Sequence, residues 1–383
     1  MPELLYFCEL LSNIKQVSVS IDSQDDSSHR QPTAVTLHPS RRALNVTFGT
    51  ETSHIILPTQ VDCPSKTLAP AASYRLPALQ FSSSSSSTLE SLTASRPVPW
   101  DAATLRPDVS IHCAVCATRI VPAQRIQIWK NLPSEAWADL MDLWHCHKPH
   151  DEKGHSNDGG GKYASVGRIA AEQAVGLVDP MYFLLCKDDC ESVDEKAAGT
   201  NEADTVVCHG CGLPLGIVDA KADGVRLMKW SLALGFGERG EEGRDLESYA
   251  MLEWLSAQLL ALVDTTGQRK FLVRPGASIL AQQHLDGSAR RTEEADKGVH
   301  IWVFNPSTVI TRSEKPTATR AMKVYYQILK SKSAIESLGD METVYLPSAI
   351  YEMFKRLLED GNSSLPRDLR AWGEWKGGWL ERF

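Results

Sequence analysis

The sequence predicts an α+β protein with a strand-rich N-terminal region, a central module built on two cysteine knuckles, and a C-terminal α+β domain. The knuckles are Cys113-Ala-Val-Cys116 and Cys208-His-Gly-Cys211, whose Cys-x2-Cys spacing is typical of structural zinc sites. Apolar residues alternate with a period of two before residue 80, whereas strand and helix periods both occur after residue 225. The expected central module is therefore braced by zinc.

Residues 1–80 predict a strand-rich N-terminal domain. Gln16–Ile21 and Leu44–Phe48 alternate strictly between apolar and polar residues, and His54–Leu57 ends at a proline. Six consecutive serines, Ser82–Ser87, follow. Because such a stretch cannot bury enough apolar surface to pack, residues 81–100 are expected to form a linker.

Four cysteines in the module 101–224 are the candidate zinc ligands. They are Cys113, Cys116, Cys208 and Cys211. Two residues between thiolates let both sulfurs bind one tetrahedral ion, and four thiolates close the site with no vacancy for a substrate. The alternative is a set of unliganded buried cysteines, but the paired spacing favours zinc. The long separation of the two pairs predicts a folded insertion between them.

Leu132–Lys148, between the knuckles, combines a predicted amphipathic helix with the cluster His145-Cys146-His147. Core packing is the favoured interpretation of the two tryptophans of this helix. The alternative hypothesis is a partner-binding surface, because aromatic and histidine side chains can position a partner. The candidate partner-binding residues are Trp137, Trp144, His145 and His147.

A second zinc ion is conceivable downstream, where Cys186 and Cys190 flank three polar residues. Its candidate ligands are Cys146, His147, Cys186 and Cys190. Cys-x3-Cys is a less specific signal than Cys-x2-Cys, so hydrogen-bonded surface groups are the alternative. A cross-braced RING is excluded, because its next ligand pair should lie only a few residues after the central histidine.

Residues 225–383 predict a C-terminal domain that mixes helices and strands. Val225–Leu234 alternates as a strand would, and a helix is expected from about Asp245 to Val263. A second helix is expected from Ser348 to Gly361-Asn362. Of the last three tryptophans, Trp375 and Trp379 are expected to pack against the core rather than form a docking patch. Further strands are expected at Phe271–Val273, Ser278–Leu280, His300–Phe304, Met322–Ile328 and Thr343–Leu346.

Composition excludes several classes of function. The net charge of −8 argues against direct binding of nucleic acid, which requires a basic surface. No apolar stretch approaches the length of a membrane span, so no membrane partner is expected. Nine cysteines, mostly in metal-like spacing, suit a reducing compartment and predict a cytoplasmic and nuclear location. No Ser-His-Asp set or carboxylate pair indicates a hydrolase.

The order of these motifs resembles the HECT-like ubiquitin-conjugating-enzyme-binding protein family over about residues 110 to 380. The resemblance rests on Cys113-x2-Cys116, Leu132-Pro-Ser-Glu-x-Trp137 leading to Trp144-His-Cys-His147, Cys208-x2-Cys211-Gly212, Lys323-Val-x-Tyr326, Leu346-Pro-Ser348, Leu365-Pro366 and Leu369-Arg370. It implies a HECT-like C-terminal domain, binding to a ubiquitin-conjugating enzyme and ubiquitin-ligase activity. It also implies a link to the endonuclease subunit of the pre-mRNA cleavage and polyadenylation complex.

The cysteine positions conflict with a HECT mechanism, in which a C-terminal cysteine accepts ubiquitin as a thioester. No cysteine follows Cys211. Cys146 is the best remaining candidate nucleophile, followed by Cys186 and Cys190. The expected function is therefore a HECT-like ligase that acts without a C-terminal catalytic cysteine. The alternative is a non-catalytic, zinc-braced assembly or chaperone factor for the endonuclease subunit.

Deleting Ser82–Ser87 is expected to leave the melting temperature unchanged, because a solvated serine tether makes no packing contacts to lose. Thermal unfolding of the deletion variant beside the intact chain checks this. A clear drop in melting temperature would show that the serines are docked.

Overall fold

The structure is a computed structural model that describes residues 4–23, 31–79, 98–132, 170–197, 204–237, 246–276, 297–339, 341–346 and 348–383. The chain forms two compact units. Unit 1 comprises Met1–Pro97 and Met251–Phe383, and unit 2 comprises Val98–Ala250. In sequence, unit 2 is therefore an insertion into unit 1.

In its described residues, the first segment of unit 1 consists of strands and their connections, with one 3₁₀ turn at Ser12–Ile14. The strands are β1 (Leu4–Leu11), β2 (Gln16–Ser23), β3 (Ala34–Leu37), β4 (Ala43–Phe48), β5 (Glu51–Ile56), β6 (Thr67–Leu68) and β7 (Ser73–Pro77).

Unit 2 is also built from strands in its described residues. They are β8 (Ser110–Cys113), β9 (Arg119–Val121), β10 (Ile128–Asn131), β11 (Val175–Val178), β12 (Tyr182–Leu185), β13 (Val193–Lys196), β14 (Thr205–Cys208), β15 (Pro214–Asp219), β16 (Gly224–Met228) and β17 (Leu232–Gly235).

The second segment of unit 1 mixes helices and strands. In order they are α1 (Met251–Thr266), β18 (Lys270–Pro275), β19 (Gly298–Arg312), β20 (Lys315–Leu329), α2 (Lys332–Glu336), β21 (Thr343–Leu346), α3 (Ser348–Ser363), β22 (Ala371–Trp372) and β23 (Trp375–Glu381).

Strand β19 organises the large sheet of unit 1, whose order is β22-β23-β20-β19-β1-β2-β7. On one edge, β19 pairs with β20 through most of its length. On the other edge, its first half pairs with β18 and its second half with β1. All three pairings are antiparallel, and β21 adds to β18 in parallel. Strands from both ends of the chain thus share one sheet.

Strand β1 is buried on both faces. Cys8 and Leu10 belong to a core cluster that includes residues of the smaller sheet β5-β4-β3-β6. Phe7 points into a second cluster with Trp379. Glu9, also buried, forms an ion pair of 2.7 Å with Lys323 on β20. A strand that is buried on both faces is expected to be apolar along its whole length. Leu4–Leu11 fits this expectation apart from its one glutamate.

The two long helices of unit 1 bury apolar residues at helical spacing. On α3, Phe354 and Leu358 are buried, and the hydroxyl of Tyr326 on β20 donates to the Leu358 carbonyl at 3.0 Å. On α1, Trp254 is buried with its ring centroid 4.8 Å from that of Phe383. No helix in the described part of the chain has both the length and the apolar character to span a membrane.

Several predicted elements are confirmed, and others need correction. The structure is strand-rich with few helices in its described residues, and β2, β4, β18 and β21 lie where the sequence predicts strands. Val225–Leu234 is not one strand, because a buried 3₁₀ turn at Lys229–Ser231 divides it into β16 and β17. The first long helix begins at Met251 rather than near Asp245. The predicted strand Ser278–Leu280 lies outside the described residues.

The grouping of residues also differs from the four-part division expected from the sequence. Residues 1–80 and the chain after Met251 share a sheet, and residues 225–250 belong to unit 2. Pairing between β1 and β19 is the physical reason for the first difference, because a strand contributes to whichever sheet supplies its hydrogen-bonding partner.

Replacing Phe354 with Ala is expected to lower the free energy of unfolding by about 3–5 kcal/mol, because it leaves a cavity in the core. The neighbouring Met353 is 40% exposed whereas Phe354 is fully buried, so Met353→Ala is the matched control. Its effect should stay within about 0.5 kcal/mol. Denaturant unfolding measures both variants, and equal losses would contradict the orientation of α3.

Candidate metal centre

The two Cys-x2-Cys knuckles are the turns of two hairpins in unit 2. The first joins β8 to β9, and the second joins β14 to β15. These hairpins belong to different sheets: one three-stranded, with order β17-β8-β9, and one seven-stranded, with order β10-β11-β12-β16-β15-β14-β13. The cysteine pairs thus bring two sheets of unit 2 together at one point.

The two knuckles have the same backbone geometry. The amide of Ala117 donates to the Cys113 carbonyl at 3.0 Å, and the amide of Gly212 donates to the Cys208 carbonyl at 2.8 Å. Ala117 and Gly212 both adopt the left-handed conformation, with φ of 57° and 72°. Glycine adopts this conformation without strain, whereas alanine pays a cost of about 1–2 kcal/mol. The first knuckle therefore tolerates strain that the second avoids.

Close packing between the knuckles depends on a glycine and a threonine. A Cβ atom placed on Gly210 would lie 2.5 Å from Oγ1 of Thr118, which is too close for any side chain there. Oγ1 of Thr118 also lies 3.1 Å from Sγ of Cys116. The second knuckle can approach the first only because position 210 has no side chain.

All four sulfur atoms converge. Sγ of Cys113 lies 3.7 Å from Sγ of Cys211, and Sγ of Cys116 lies 3.5 Å from Sγ of Cys208. All four lie within 4.8 Å of one another. In a tetrahedral ZnS₄ site with Zn–S bonds of about 2.3 Å, neighbouring sulfurs are about 3.8 Å apart. The four cysteines could therefore hold one metal ion.

Burial and hydrogen bonding shift the pKa values of the thiols in opposite directions. The Thr118 hydroxyl lowers the pKa of Cys116 to about 6, because it can donate to the thiolate. Burial raises the pKa of Cys113 to about 12. Four neighbouring thiolates repel one another, so a bound cation is what permits all four to be ionised together.

The other predicted site residues divide into two groups. Cys186 and Cys190 bracket the 3₁₀ turn Lys187–Asp189, and the Cys190 thiol donates to the Cys186 carbonyl at 3.7 Å. Burial raises the pKa of Cys190 to about 12, which makes it a poor nucleophile at neutral pH. The candidates outside the described residues are Trp137, Trp144, His145, Cys146 and His147. The second metal site and the partner-binding role of these residues stay predictions.

The sequence pattern identifies the four cysteines but not Ala117 and Thr118, two further residues that shape the site. Aligning the knuckles places Ala117 opposite Gly212, so the sequence does contain a signal for the left-handed turn at Ala117. Thr118 has no such signal, because its close packing against Gly210 depends on how the second knuckle approaches the first.

A comparison with known protein families shows which family the chain belongs to. Residues 9–377 match the model of a family described as HECT-like ubiquitin-conjugating enzyme (E2)-binding. The chain belongs to this family. The match covers nearly the whole chain and confirms the resemblance seen in the motifs.

Two fungal proteins are similar to the chain, and both are named as uncharacterized. The protein of Saccharomyces cerevisiae is 25% identical over 275 residues, which cover 70% of this chain and 67% of that protein. The protein of Schizosaccharomyces pombe is 24% identical over 301 residues, which cover 75% of this chain and 78% of that protein. No solved structure shows a significant match.

Cys113→Ser and Cys208→Ser are each expected to abolish metal binding and to unfold unit 2, because binding free energy at such a site is folding free energy. Elemental analysis and circular dichroism of the purified variants check this. The matched control is Cys63→Ser, since Cys63 is a free cysteine of unit 1. Acidification should release the metal, because protonated thiols no longer bind it. Soluble, folded wild-type protein without metal would contradict the site.

Proposed function

We propose that the protein binds a ubiquitin-conjugating enzyme and promotes ubiquitin transfer from that enzyme directly to a lysine. The observation that carries the binding is the match of residues 9–377 to an E2-binding family. The direct route of transfer rests on the positions of the cysteines.

The second segment of unit 1 offers no thiol for a ubiquitin thioester, because no cysteine follows Cys211. In the first segment, Cys8 is fully buried and burial raises its pKa to about 12. In unit 2, four cysteines converge on the candidate metal centre. A thioester would therefore have to form on Cys63, Cys146, Cys186 or Cys190, of which Cys190 has a strongly raised pKa.

Direct transfer requires no thiol on this protein. A substrate lysine attacks the thioester on the conjugating enzyme, an isopeptide bond forms, and the enzyme's cysteine leaves as a thiol. The binding partner accelerates this step by holding the charged enzyme and the lysine in productive geometry. Such positioning converts a bimolecular encounter into an effectively unimolecular one.

Zinc is the proposed metal for the four-cysteine centre. Four thiolates in tetrahedral arrangement suit zinc, and they leave no open coordination position for a substrate. The sulfur separations of 3.5 and 3.7 Å support this assignment. The role of the ion is then to hold the β8–β9 and β14–β15 hairpins together, while its ligands are unavailable as nucleophiles.

A single-turnover discharge assay tests the mechanism. A conjugating enzyme charged with ubiquitin is mixed with free lysine, with and without the protein, and samples are resolved on non-reducing gels. We expect discharge to accelerate at least about tenfold, with no ubiquitin adduct on the protein. Cys146→Ala and Cys186→Ala should retain this acceleration if their metal content is unchanged.

Two outcomes would contradict direct transfer. A thiol-sensitive ubiquitin adduct that is lost in Cys146→Ala would instead establish a covalent intermediate. Absence of both discharge and binding to the conjugating enzyme would favour the assembly-factor hypothesis.

A further inference from the structure

Five aromatic side chains form one continuous surface on the large sheet of unit 1, here called the aromatic face. Its members are Trp302, Phe304, Tyr325, Trp372 and Trp375. Trp302 and Tyr325 are directly paired across β19 and β20. Neighbouring ring centroids within this group lie between 5.3 and 5.8 Å apart.

The aromatic face is open to solvent. Trp372 is 56% exposed and Phe304 is 46% exposed, while the other three rings are partly buried. Of the two tryptophans expected to pack against the core, Trp379 does so, whereas Trp375 lies on the aromatic face. The opposite face of the same strands already supplies core residues, including Val303, Val324 and Tyr326, which are fully buried. In a sheet with one buried face, the other face normally carries polar residues. Clustered exposed tryptophan and tyrosine are instead typical of protein-binding surfaces.

A surface cavity of about 480 Å³ adjoins the aromatic face at Phe304. Its lining includes Leu10 of β1, Ile14 of the following 3₁₀ turn and Arg269 beside β18. Ile14 is 58% exposed. The cavity, lined by both polar and apolar residues, therefore extends the binding surface beyond the rings, which suits an extended ligand better than a single side chain.

Positive charge accompanies this surface, although the protein as a whole has a net charge of −8. Nζ of Lys270 lies 5.2 and 5.5 Å from the centroids of two rings of the aromatic face. Within the described residues, neither Lys270 nor Arg269 has a carboxylate within ion-pair distance. Lys323 lies 5.9 Å from a third ring but is neutralised by Glu9. Glu374, in the turn between β22 and β23, precedes Trp375 directly in sequence.

We propose that the aromatic face and the adjoining cavity bind an extended, acidic peptide segment of a partner protein. Apolar side chains of the segment would pack on the rings and in the cavity, and its carboxylates would pair with Lys270 and Arg269. Nucleic acid fits less well, because the rings tilt at 40–82° to one another and offer few parallel planes for stacked bases. This surface is independent of the proposed ubiquitin transfer.

Fluorescence anisotropy with a designed probe tests the proposal. The probe is a fluorescein-labelled peptide of four Glu-Pro-Phe repeats, in which proline keeps the chain extended. We expect binding that weakens with salt, and Trp372→Ala should weaken it at least about tenfold, as loss of an aromatic anchor does. Lys270→Glu should weaken it similarly and reduce its salt dependence.

Matched control variants distinguish changes at the aromatic face from the same kinds of change elsewhere in unit 1. Met353→Ala removes an exposed apolar residue elsewhere in unit 1, and Lys66→Glu makes the same charge change at an exposed lysine elsewhere in that unit. Both should bind the probe as wild type does. A probe of Glu-Pro-Ser repeats should bind at least about tenfold more weakly, because it lacks the aromatic anchors.

Several results would overturn the proposal. They are absence of binding by the Glu-Pro-Phe probe, binding unchanged in Trp372→Ala with wild-type folding, or equal binding of a Lys-Pro-Phe probe. Tighter binding of a single-stranded oligothymidine that is lost in Trp372→Ala would assign the surface to nucleic acid instead.

Discussion

The pairing of β19 with three strands is the interaction on which unit 1 depends. Its edge toward β1 joins residues nearly three hundred positions apart, as in the hydrogen bond from the Thr308 hydroxyl to the Leu10 carbonyl. The entropic cost of closing such a long loop grows only slowly with its length, so a whole second unit can be inserted at modest cost. The same strand carries Trp302 and Phe304, so the sheet that joins the chain ends also displays the aromatic face.

Unit 2 depends on a different constraint, the convergence of two equivalent turns. Each knuckle presents one buried and one exposed cysteine. A metal held by both turns would join the two hairpins through strong, directional bonds. The arrangement also has a chemical consequence. Cysteines committed to a metal are withdrawn from acyl transfer, which is consistent with a protein that positions a charged enzyme rather than carrying ubiquitin itself.

Local patterns predicted the local features of the structure. Alternation located β2 and β4, and cysteine spacing located the four sulfurs of the candidate centre. The full lengths of β19 and β20 escaped prediction, because Pro306 and register shifts interrupt the alternation. The partnership of β1 with β19 also escaped, since pairing between distant strands is fixed by tertiary packing. Likewise, the close packing of Gly210 against Thr118 depends on how two separate hairpins meet.

The inserted order of the two units has a consequence for synthesis of the chain. Strand β1 leaves the ribosome long before β19, its partner, because Leu10 and Thr308 are 298 residues apart. At about 5–20 residues per second, the interval is roughly 15–60 s. During that time the edge of β1 that pairs with β19 has unpaired backbone N–H and C=O groups, whereas the described strands of unit 2 pair only with one another. One edge of β1 therefore stays without its native partner until β19 has been made, while its other edge can already pair with β2.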